Sequence, residues 1–77
     1  MAETETIDDL LAAKLRKGES SAAWCARNGV SYRMLYRYRR GLVDRPHPES
    51  LGRLARCFGV SVQRVRRAFI ASQAAAA

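Results

Sequence analysis

Apolar residues recur along this chain at intervals of three and four, and nowhere do they alternate with polar ones as a half-buried strand requires. Ile7, Leu10, Leu11 and Leu15 form the first such run. Thr6 stands before it as a cap, with Asp9 three residues on as a weaker version of the capping-box acid. Lys14, Arg16 and Lys17 precede Gly18, where cations suit the negative end of a helix, so a first helix is predicted over about Ile7–Lys17. Ser20 or Ser21 caps a second helix, rich in small residues, that ends at Asn28-Gly29. Trp24 is its expected core anchor, with an indole N–H that needs a partner or an edge position. Ser31 caps a third helix that closes at Gly41, and Val30 is placed to staple onto Leu35.

The loop 42–47 carries the turn residues Asp44 and Pro46, and Pro48 suits the first position of a fourth helix. Leu51, Leu54, Ala55 and Phe58 then keep amphipathic spacing as far as Gly59. Val60-Ser61 repeats the staple and cap, this time onto Val65, for a fifth helix. That helix is predicted to turn Val62, Val65 and Phe69 inward and Arg64 and Arg67 outward, and the closing Ser-Gln-Ala-Ala-Ala-Ala either extends it or frays. The expected fold is all-α, a compact five-helix domain over 6–73, with a flexible acidic N-terminus at 1–5 and an alanine tail at 74–77.

Charge adds a partner to this picture. The 77 residues carry a formal +7, but Glu3, Glu5, Asp8 and Asp9 all lie at the start, so the chain after Asp9 has 14 bases against three acids, a formal +11. Such density on a small body implies a polyanion, either nucleic acid or an anionic membrane surface. Twelve of the 14 bases are arginine, which favours nucleic acid because a guanidinium grips phosphate or a guanine edge with two hydrogen bonds. No apolar run reaches membrane-spanning length and no charged start precedes an apolar signal core, so a cytoplasmic chain without a membrane partner is expected. Cys25 and Cys57 lack CxxC partners, and with His47 they are too few for zinc; free thiols, no metal and no cofactor are expected. One histidine, no recognisable nucleophile and base, and no phosphate-cradling glycine loop argue against an enzyme or a small-molecule substrate.

The third helix concentrates the charge. On a wheel, Met34, Leu35 and Tyr38 share one arc with Ser31, while Tyr32, Arg33, Tyr36, Arg37 and Arg40 fill the other. A solvated face would mix acids among its bases to gain pairs four residues apart, yet this one has three arginines, two tyrosines and no acid. Something negative outside the domain is expected to meet it.

WCARNGVS opening a basic helix, then a glycine with proline five residues on, then LARCFGVS, resembles the helix-turn-helix domain of the lambda-repressor-like (Xre/Cro) family over roughly Ile7 to Phe69. The resemblance implies a repressor-like transcriptional regulator of bacterial or phage type whose third helix lies in the major groove of double-stranded DNA. The family's base-reading positions correspond to Tyr32, Arg33, Tyr36 and Arg37, and its backbone contacts to Ser20, Ser21, Ser31, Arg40, Arg45 and His47. Three departures carry expectations. Asn28 and Glu19 stand where the family favours apolar residues, so packing there is expected to be looser. Many members pair an acid late in the recognition helix with a base in helix one, but here Arg39 would face Lys14, leaving one of the two for phosphate.

A rival lies inside the chain. ARNGVSYRMLYR and RCFGVSVQRVRR share the same cap and basic helix thirty residues apart. The second offers Gln63, Arg64 and Arg67 but ends in Phe69-Ile70, which suits packing or self-association, so the first is taken as the reader and Phe69 and Ile70 as a homodimer surface. The other function class left open is a non-catalytic interaction module, an antirepressor or accessory factor, applying the Tyr/Arg face to an acidic protein.

Overall fold

The computed structural model describes residues 5–76, so of the stretch expected to be a loose N-terminus only Glu5 falls within it. Among the described residues there are five helices and no strand: α1 (Ile7–Ala12), α2 (Ser21–Asn28), α3 (Tyr32–Arg39), α4 (Pro48–Phe58) and α5 (Val62–Ala76). The protein is a small all-α domain. α5 is central and packs against α1, α3 and α4, while α3 also receives α1 and α2.

The caps explain where these helices begin. Thr6 and Asp9 form a reciprocal capping box at α1. Ser20, Ser31 and Ser61 each accept the backbone N–H three residues on. Ser31, expected on the packing arc, is exposed because it serves as a cap. α2 ends at Gly29 with φ of 68°, and the Val30 N–H reaches back to the Cys25 carbonyl at 2.9 Å, a closure that only a left-handed residue permits without strain.

α1 is shorter than its pattern predicts, ending at Ala12 rather than Lys17. Beyond it the Leu11 carbonyl takes both the Lys14 and Leu15 N–H groups, and Glu19 captures the Arg16 N–H that a continuing helix would direct at Ala12. Leu15 still packs against the core from this turn.

The core gathers Trp24, Leu35, Tyr38, Phe58, Val65 and Phe69 with Ile7, Leu10, Leu11, Leu51 and Leu54. Each such side chain contributes about 1.5–3 kcal/mol on burial. Trp24 stacks on Phe58 with ring centroids 5.4 Å apart, and Tyr38 tilts against Phe69 at 5.1 Å. Val62, expected inward, is 40% exposed. The buried arc of α5 is Val65, Ala68, Phe69 and Ser72, and position 62 falls about 70° from its centre at 100° per residue. Phe69, taken as half of a dimer surface, is 1% exposed, so Ile70 at 56% stands without it.

The C-terminal residues do more than extend α5. Ser72 is buried, its Oγ accepting the Ile7 N–H at 3.0 Å while donating to the Ala68 carbonyl, so the start of α1 is fastened to the last turns of α5. The alanines at 74–76 continue the same helix.

Candidate nucleic-acid interface

α3 shows the two faces its wheel predicts. Leu35 and Tyr38 are buried and Met34 is half-buried, whereas Tyr32 and Tyr36 are 47% and 41% exposed and Arg33, Arg37 and Arg40 lie open. Among the described residues these three arginines, and Arg45 beside them, make no ion pair. Arg40 places its guanidinium 5.4 Å from the Tyr36 ring centroid, an attraction that orients both side chains on the open face.

The fold brings base-reading and backbone candidates together. Ser31, Arg33, Arg37, Arg45 and His47 line one open cleft of about 300 Å³ between α3 and the loop that follows it, floored by Met34, Tyr38 and Val43. Tyr32, Tyr36 and Arg40 share the exposed face of α3 outside that cleft. Ser20 caps α2 and is exposed, whereas Ser21 is half-buried and accepts a hydrogen bond from Arg39 Nη1 at 3.3 Å.

His47 has a structural role that its sequence position did not signal. It is the N-cap of α4, its Nδ1 accepting the Glu49 N–H at 3.2 Å. With Nδ1 an acceptor, the neutral ring carries its proton on Nε2, so His47 can still donate to a phosphate from its exposed edge.

Arg39 corrects an expectation. It does not stand against Lys14 as an unpaired base; its Nε donates to Asp8 Oδ1 at 2.5 Å. The tie between α1 and α3 is therefore present with its polarity reversed, the acid on α1 and the base on α3. The expected looseness at Glu19 and Asn28 is met by polar fastening. Glu19 accepts two 2.8 Å bonds from the Arg27 guanidinium and one from the Arg16 N–H, and these, Arg27 first, hold its carboxyl down to about 2. Asn28 donates from Nδ2 to the Trp24 carbonyl.

The rival segment on α5 is partly occupied. Arg64 grips both oxygens of Glu5 at 2.8 Å, and this bond lowers the Glu5 carboxyl below its ordinary range. Glu5, expected to be loose, is thus held to α5. Arg64, Arg67 and Ile70 line an open groove along α5 together with Glu5 and three alanines.

Cys25 and Cys57 are free, and burial pushes the Cys25 thiol up, away from reactivity. Among the described residues no group of three or more His, Cys, Asp and Glu is placed to hold a metal, and no helix is long and apolar enough to cross a membrane. No family model, curated protein or solved structure matches the chain.

Proposed function

We propose that this protein is a sequence-specific double-stranded DNA binder of the lambda-repressor-like type, a repressor-like transcriptional regulator with α3 in the major groove. The observation that carries the reading is the open face of α3, where three arginines and two tyrosines stand without acidic partners among the described residues while Arg45 and His47 border the same cleft. Arg33 and Arg37 lie one turn apart, where each guanidinium can bond guanine O6 and N7, and Tyr32 and Tyr36 supply apolar contact to thymine methyls and sugars. Arg40, Arg45, Ser31 and His47, with Ser20 and Ser21 at α2, take the backbone role. One short helix reads few bases, so the protein acts as a homodimer on a two-fold site, with the exposed Ile70 of α5 at the contact.

Selection from a random duplex pool followed by a salt titration tests this. With about four to six phosphates neutralised per subunit, log affinity should fall against log salt with a slope near −0.9 for each. A flat salt response, or binding only to an acidic protein through the same face, would contradict it.

A further inference from the structure

We propose that Tyr38 is a positioning residue whose buried hydroxyl sets the loop carrying Arg45 and His47 in register with the base-facing side chains of α3. The inference rests on the reading of α3 as the DNA-contacting helix. Tyr38 points away from that face and is 2% exposed, its ring packed on Phe69. Packing alone would be served by phenylalanine, since a buried hydroxyl costs stability unless it is hydrogen-bonded. The partner it takes is the His47 N–H, at 3.1 Å, where the loop ends and α4 begins.

The near end of the loop is held as well. Gly41, with φ of 68°, lies so close to α5 that a Cβ there would sit 2.7 Å from the Gln73 Cα, and Gln73 Nε2 donates to the Val43 carbonyl at 3.4 Å. The segment is therefore fixed at residues 41, 43 and 47, with Arg45 between the last two anchors. Arg33 and Arg37 border one side of the cleft and Arg45 and His47 the other, and Tyr38 lies in its floor. A loop pinned in this way presents its phosphate donors already ordered, whereas a free one would lose conformational entropy on binding. The hydroxyl acts through Arg45 and His47 and touches no nucleic acid.

Tyr38→Phe keeps the ring and removes only the tie. On the duplex selected from a random pool, its affinity at moderate salt should fall about tenfold, the value of one hydrogen bond at the upper end of its range. The salt slope should flatten by about 0.9, one phosphate contact, with base preference unchanged. In an Arg45→Ala background the same change should cost clearly less, only the part that passes through His47, a coupling that a general loss of stability would not produce. Gln73→Ala, which releases the other end of the loop, should flatten the slope in the same direction. Wild-type affinity and slope in Tyr38→Phe, or equal losses in both backgrounds, would overturn the positioning role while leaving α3 as the reader. Failure of the wild-type chain to bind any duplex would overturn both.

Discussion

Arg39, at the end of α3, bonds through its Nε to Asp8 of α1 and through Nη1 to Ser21 of α2, so one guanidinium joins three helices. The pair is partly solvated, with side-chain exposures of 28% for Arg39 and 59% for Asp8. Its consequence is therefore orientation of α3 more than stability.

Asp8→Asn and Arg39→Gln should each lower unfolding free energy by only about 0.5–1 kcal/mol, and the double variant by no more than the larger single loss. Urea unfolding of the four chains checks this. Additive losses would show that the two side chains act separately.

The fork between Glu19 and Arg27 gives a pH signature. The folded carboxyl lies at about 2 against an ordinary 4.5. Its contribution is thus complete above 4.5 and is lost as pH falls from there through 2. The stability difference between wild type and Glu19→Gln should be constant near neutrality and shrink across that acid window, as followed by thermal melts.

Two glycines with the same left-handed backbone should respond differently to alanine. At Gly29 no atom beyond its chain neighbours lies within 4 Å of the place a methyl group would take, so Gly29→Ala should cost about 1–2 kcal/mol from backbone strain alone. Gly41→Ala adds a clash with the α5 backbone, and overpacking of this kind typically adds about 1–3 kcal/mol. Denaturant midpoints should rank wild type, Gly29→Ala and Gly41→Ala in falling order.

Helix starts and the arcs of α3 were legible in the sequence because caps and three-to-four spacing are decided within a few residues. The end of α1 was not, since Glu19 reaches back to take the Arg16 N–H and its side chain competes with continued helix. Asp8 with Arg39, Glu5 with Arg64 and Ser72 with Ile7 are 31, 59 and 65 residues apart, separations over which one sequence carries no pairing signal. The open face of α3 was readable from its missing acids, but the cleft it shares with Arg45 and His47 depended on how the loop is fastened to Tyr38 and Gln73.

The most direct measurement sets Arg37 of α3 against Arg64 of α5 on a panel of base-substituted duplexes. Arg37→Ala should cost about 1–3 kcal/mol on the preferred site and relax the choice of base at one position. Arg64, already paired with Glu5, should when replaced by alanine weaken all duplexes alike or leave them unchanged. A shifted base preference in Arg64→Ala with none in Arg37→Ala would put α5 in the groove and contradict the assignment of α3.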